Sequence, residues 1–202
     1  MGKGRLLIRK QFHCCFSVPS YHHTIVPFAF YMKNMLDRTK HLSEHFLLGE
    51  LTKTSFKTED NNEPPLEAIE NLISLCEDWL EDLRFEYNSL YVLDSTDDYE
   101  TSPDVEPIII NQGYRSIQVS EAMKKAGLNP APHSNHQTGC AVDIRCAGVE
   151  QALRYATILL NMADHRRRVF DELFIERRKH KYWIHFAVRP ENNRRKTGFI
   201  LA

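Results

Sequence analysis

His133-Ser134-Asn135-His136-Gln137-Thr138-Gly139-Cys140-Ala141-Val142-Asp143-Ile144 is the stretch whose reading decides this chain. A proline-rich loop, Asn129-Pro130-Ala131-Pro132, leads into it, and it ends in the short apolar run Ala141 to Ile144, read as a central strand. Six residues separate His136 from Asp143, too many for one helical turn, so the two must meet across a loop and a strand. A further histidine, His185, lies downstream in Tyr182-Trp183-Ile184-His185-Phe186-Ala187-Val188, which alternates as a strand does. Two imidazoles and one carboxylate make a three-ligand zinc set with a fourth position left for water. Taken singly, His136 also reads as a loop histidine and Asp143 as a turn residue. Their combination with His185 carries the metal reading.

The strand bearing His185 has a partner in Leu173-Phe174-Ile175-Glu176, joined to it by the basic turn Arg177 to Tyr182. Strand faces alternate, so the register can be chosen from the apolar pattern. Ile175 opposite Ile184 and Leu173 opposite Phe186 gives one apolar face. The other face then carries Glu172, Phe174, Glu176, Trp183 and His185, which puts Glu176 beside the proposed metal ligand.

Upstream, Leu66 to Leu90 is the strongest helical pattern. Leu66, Ile69, Leu72, Ile73, Cys76, Trp79, Leu80, Leu83, Tyr87 and Leu90 form one stripe, entered through Pro64-Pro65. The acidic stretch Asp94 to Glu106 lacks the glycine and closing glutamate of a calcium loop and reads as a solvated insertion. Pro107 to Ile110 is a short apolar strand, and Ile117 to Ala126 a helix stopped by Gly127. Val149 to Ala163 is a second amphipathic helix, with Ala152, Leu153, Ala156, Leu159, Leu160 and Ala163 inward.

The chain has 202 residues, enough for one domain with a sizeable core. A formal net charge of -1 gives no overall reason to expect a nucleic-acid partner. Arg166-Arg167-Arg168 has no interleaved aromatics and reads as a solvated helix end. The five cysteines form neither a disulfide framework nor a Cys-x-x-Cys pair, and Cys140 reads as packing. No apolar run approaches the roughly 18 residues of a membrane span. Residues 1–31 mix basic residues, Cys14-Cys15, histidines and aromatics without periodicity, and Ile25 to Tyr31 is too short and too late for a normal signal peptide. The expectation is a non-native or disordered extension over 1–35, a native start at Met32 or Met35, and one domain over 36–202.

Ser134-x-His136-x-x-Gly139-x-Ala141-x-Asp143-Ile144 resembles the signature of the zinc D-Ala-D-Ala carboxypeptidases and related phage-type murein endopeptidases. Ser43-Glu44-His45-Phe46 with Glu50-Leu51, then Gly113-Tyr114-Arg115-Ser116, then Trp183-Ile184-His185 also fit that family, in its order, over about residues 40 to 190. The resemblance implies a hedgehog-like α+β domain, a small and mostly antiparallel sheet packed by helices. It implies a zinc peptidase of peptidoglycan stem peptides with His136, Asp143 and His185 on the metal. It also implies that Arg115 holds a substrate carboxylate or carbonyl; a structural salt bridge is the other reading. Gln112 stands where the family has a serine, and Ser120 where it has an asparagine. Many members carry their acidic general base three positions before the last histidine, where this chain has Tyr182. Glu176 is the expected replacement, with Glu172 and Asp171 behind it; a surface glutamate paired with Arg177 or Lys179 is the alternative. The protein is expected to act as a monomer without a membrane span, reaching the wall after release from the cytoplasm. Two other readings stay open: a zinc-binding protein that recognises murein without cutting it, and a phage structural or assembly protein, a class that Asn193 to Lys196 also resembles.

Overall fold

Alternation in the strands around the metal stretch builds a sheet with two unlike faces. The computed structural model describes residues 37–94 and 96–201; the expected extension over 1–35, with Met32, Met35, Cys14 and Cys15, lies outside them. In chain order the elements are α1 (Leu48–Thr52), α2 (Leu66–Leu75), a π-helical turn (Cys76–Leu80), α3 (Glu81–Tyr91), β1 (Ile110–Gln112), α4 (Ile117–Lys125), a 3-10 turn (Asn135–Thr138), β2 (Ala141–Cys146), α5 (Val149–His165), β3 (Glu172–Arg178), β4 (Lys181–Ala187) and β5 (Lys196–Leu201). The five strands form one mixed sheet in the order β1-β2-β4-β3-β5. Its pairs are antiparallel except β3 with β5, which is parallel. The protein is thus α+β, a five-stranded sheet packed by helices.

The register expected for the hairpin is the one observed. Ile175 pairs with Ile184 and Leu173 with Phe186, around a turn reduced to Lys179-His180. β2 joins the other side of β4, with Val142 opposite Phe186, Ile144 opposite Ile184 and Asp143 opposite His185. Because neighbours in a strand point to opposite faces, Val142, Ile144, Leu173, Ile184 and Phe186 share one face, and all are buried. Phe186 packs edge-on against Trp79, with ring centroids 4.9 Å apart, which seats the π-helical turn on the sheet. Burying a side chain of that size contributes about 1.5–3 kcal/mol. The opposite face carries Asp143, His185, Glu172, Phe174, Glu176 and Trp183.

Several sequence expectations shift. The long helix of Leu66 to Leu90 is continuous but passes through the π-helical turn, which brings Leu75, Cys76, Trp79 and Leu80 all inward. Leu90 is 60% exposed. Asn88 takes the inward place in the last turn instead: its amide donates to the Arg84 and Glu106 carbonyls and its Oδ1 accepts from Glu106 N–H, which ties down the end of the acidic loop. In α5, Leu153 is 53% exposed, whereas Tyr155, Ile158 and Met162 are buried. The Tyr155 ring meets Tyr87 edge-on at 4.7 Å, and so large a buried aromatic outweighs one leucine in setting the helix rotation. β1 begins at Ile110, later than Pro107. β5 falls in a segment that the sequence reading left without a strand. Among the described residues no helix is long and apolar enough to cross a membrane.

Candidate metal centre

His136 sits on the 3-10 turn that delivers the chain into β2. Ser134 caps this turn by accepting from His136 N–H, and Gly139 closes it at φ 72°, in the left-handed region. Only glycine fits there for a second reason: a Cβ on Gly139 would lie 2.2 Å from the Ala68 carbonyl oxygen of α2. The His136 ring is buried, and its Nδ1 lies 2.7 Å from the Gly113 carbonyl oxygen. A carbonyl can only accept, so Nδ1 carries a proton and Nε2 is the nitrogen turned toward Asp143. Gly113 in turn presses against α1, where an added Cβ would come within 2.4 Å of the Leu51 carbonyl oxygen.

Asp143 and His185 face each other across β2 and β4. Asp143 Oδ1 lies 3.4 Å from His136 Nε2 and 3.0 Å from His185 Nδ1. The three potential ligand atoms of His136, Asp143 and His185 all lie within 4.8 Å of one another. Bonds of about 2.1 Å at tetrahedral angles would put neighbouring donors about 3.4 Å apart. This group could hold a metal ion, and its two-imidazole, one-carboxylate chemistry fits one. Burial alone would raise the Asp143 carboxyl, but the charges and hydrogen bonds of His136 and His185 hold it far below the usual carboxylate range. Burial likewise disfavours a charged His185, yet hydrogen bonds to Asp143 and Glu172 outweigh it and raise the imidazole to about 10. The Asp143–His185 contact therefore keeps a proton on the imidazole, which a metal ion bound there would have to displace.

No protein-family model, curated protein or solved structure matches this chain. What the site can do is set by its own donors and surroundings.

The metal group lies in a cleft of about 830 Å³ whose walls include Arg115, Phe174, Glu176 and Trp183. Arg115 is only 6% exposed. Its Nη1 donates to Gln112 Oε1 at 3.1 Å, while its buried Nε has no hydrogen-bond partner among the described residues. Burial lowers its pKa, partly countered by the Asp143 charge. The structure gives Arg115 no carboxylate partner within salt-bridge distance among the described residues, so the structural salt bridge is not formed.

The three candidate bases separate by environment. Glu176 has its pKa raised, first by burial and then by the negative charge of Asp143. It pairs across the strands with Trp183, and Phe174 is the residue directly opposite His185, so Glu176 stands one diagonal step from that ligand. Glu172 is lowered, first by its hydrogen bond to His185. Asp171 is fully buried; burial would raise it, but Arg194, Asn135 and Arg189 bring it down to about 2. Glu176 is thus the one of the three candidate carboxylates whose surroundings raise its affinity for a proton. Tyr182, three positions before His185, lies on the opposite face of an unbroken strand and packs against the core. A carboxylate there would point away from the cleft.

Sequence reasoning did not assign roles to Asn135, Arg189 or Arg194, which hold Asp171 and Glu172 in place. Asn135 stands inside the motif and Arg194 in the tail segment noted above, but polar residues without periodicity give no sign of which carboxylate they meet.

Proposed function

We propose that this protein is a zinc-dependent peptidase of bacterial cell-wall peptide, with a hedgehog-like zinc-peptidase fold, that hydrolyses a peptide bond of the murein stem next to a D-amino acid. The observation that carries this reading is the grouping of His136, Asp143 and His185 donors in a cleft that Arg115 also lines. The resemblance of four ordered motifs supports the choice of substrate. Zinc held by the three residues would supply Lewis acidity, lowering the pKa of a water to about 7 and polarising a carbonyl.

The protein's own groups supply the rest. Gly113 fixes the His136 tautomer so that its lone pair faces the cleft. Arg115 holds a substrate carbonyl or carboxylate through its fork of donors, a contact strengthened by burial. Glu176, with its raised pKa, accepts a proton from the attacking water and returns it to the leaving amine. Phe174 and Trp183 supply apolar wall on the same side of the cleft.

The test is mass spectrometry of purified murein incubated with the zinc-loaded protein, with a chelated control. New stem-peptide termini that appear only with metal support the reading. The core-facing Tyr182 at the position of the family's usual base favours a second reading, a zinc-binding protein that recognises murein without cutting it. Metal-dependent murein binding with no new termini would select that one.

A further inference from the structure

The cleft side of β3 carries an ordered set of charges that the hydrolytic reading does not use. Asp171 is fully buried and receives Arg194 through two nitrogens, Nε to Oδ1 at 2.7 Å and Nη2 to Oδ2 at 2.6 Å. The same Arg194 Nη2 donates to Glu172 Oε1 at 2.6 Å. Asn135 Nδ2 donates to Asp171 Oδ2 at 2.8 Å and to Glu172 Oε2 at 3.1 Å, and Asn135 Oδ1 accepts from Arg189 Nε at 2.9 Å. Both oxygens of Glu172 are therefore gripped, one from the tail and one from the turn that carries His136. Oε2 lies 3.5 Å from His185 Nε2, on the side of the ring away from Asp143.

We infer that Glu172 is the positioning residue of the metal centre: clamped by Arg194 and Asn135, it holds His185 Nε2–H and so turns the Nδ1 lone pair toward the position shared with His136 and Asp143. This inference rests on the proposed metal site and adds to it. A histidine ligand offers one nitrogen to the metal and needs a fixed acceptor for the other, and the loss of such an acceptor typically weakens metal binding 10- to 100-fold. His136 has the Gly113 carbonyl for this purpose, and Glu172 is the counterpart for His185. Asn135 links the two halves, because it touches the Glu172 carboxylate and is the chain neighbour of His136. The tail from Arg189 to Arg194 thus acts on the metal without touching it.

The experiment uses the full chain, with cobalt(II) as spectroscopic probe and zinc in competition titrations. Glu172→Ala should lower metal affinity about 10- to 100-fold and alter the cobalt ligand-field absorption. Glu172→Gln keeps an oxygen that can accept from Nε2–H, and should recover most of the affinity and the wild-type spectrum. Arg194→Ala leaves Glu172 present but held only by Asn135, and should fall between wild type and Glu172→Ala. Unfolding curves of the metal-free variants show whether each is folded. Wild-type affinity and spectrum in a folded Glu172→Ala would overturn the inference while leaving the metal site intact. Equal loss in Glu172→Ala and Glu172→Gln would also overturn it, since the acceptor would then not be what matters. Failure of the wild type itself to bind cobalt or zinc would instead remove the metal reading and this inference with it.

Discussion

Replacing Gly139 by alanine separates two costs that usually come together, because the chain contains both controls. Gly127 and Gly139 have nearly the same backbone, at φ 80° and 72°, but a Cβ at Gly127 meets nothing within 4 Å. Gly127→Ala should therefore cost only the left-handed conformation, about 1–2 kcal/mol. At Gly139 the new Cβ would sit 2.2 Å from the Ala68 carbonyl oxygen, against an ordinary contact of 3.4 Å or more. The obstacle is backbone, so the turn or α2 must move by about 1 Å, at a further cost of about 1–3 kcal/mol. Gly113→Ala supplies the converse control, with a backbone clash at 2.4 Å and no left-handed φ. Urea unfolding of the three metal-free variants, compared by midpoint at constant slope, should rank Gly139→Ala as the most damaging, at about 2–5 kcal/mol. Since the displaced turn carries His136, Gly139→Ala should also lose metal affinity, whereas Gly127→Ala should not. Equal losses of stability at Gly139 and Gly127 would refute the close approach of the turn to α2.

Glu176→Gln should retain metal stoichiometry and thermal stability while murein hydrolysis falls on the order of a hundred- to ten-thousandfold, as measured by release of stem peptides; unchanged turnover would hand the proton transfer to another group. Arg115→Met should raise the unfolding free energy of the metal-free protein by about 1 kcal/mol, read from urea curves, because it removes a buried donor that has no partner among the described residues. The same variant should lose about 10- to 100-fold in kcat/KM with the loss of its charge-assisted bond to substrate. Asp171 contributes to acid stability: its pKa is depressed from 3.8 to about 2, so its stabilisation is complete above about pH 4 and lost as pH falls through 2. That drop is worth about 2 kcal/mol, and unfolding curves of Asp171→Asn should show a correspondingly shallower decline between pH 4 and 2 than wild type.

The hairpin and its cleft face were legible because β3 and β4 obey a strict two-residue alternation with one self-consistent register, which puts Glu176 and His185 on the same face. The grouping of His136 with Asp143 and His185 was expected from their combination and from the family resemblance, not from spacing alone. Periodicity gave less at the helix margins. Leu153 and Leu90 fit a helical stripe, but Tyr155 and Asn88 take the inward places, and neither the size of an aromatic contact nor a side-chain tether to Glu106 can be read from spacing. β5 was missed because a strand that lies exposed at the sheet edge has no buried face and so no alternation to detect. The clamp on Glu172 depends on that strand's approach, since Arg194 reaches Asp171 and Glu172 only once the tail runs parallel beside β3.

Metal binding by purified protein tests the central claim most directly. Equilibrium titration with zinc at neutral pH, read by both stoichiometry and thermal shift, should give one ion per chain and a higher Tm for the wild type. His136→Ala and His185→Ala should each abolish tight binding and the shift. Full stoichiometry and an unchanged shift in either variant would contradict the assignment of His136, Asp143 and His185 as one metal centre.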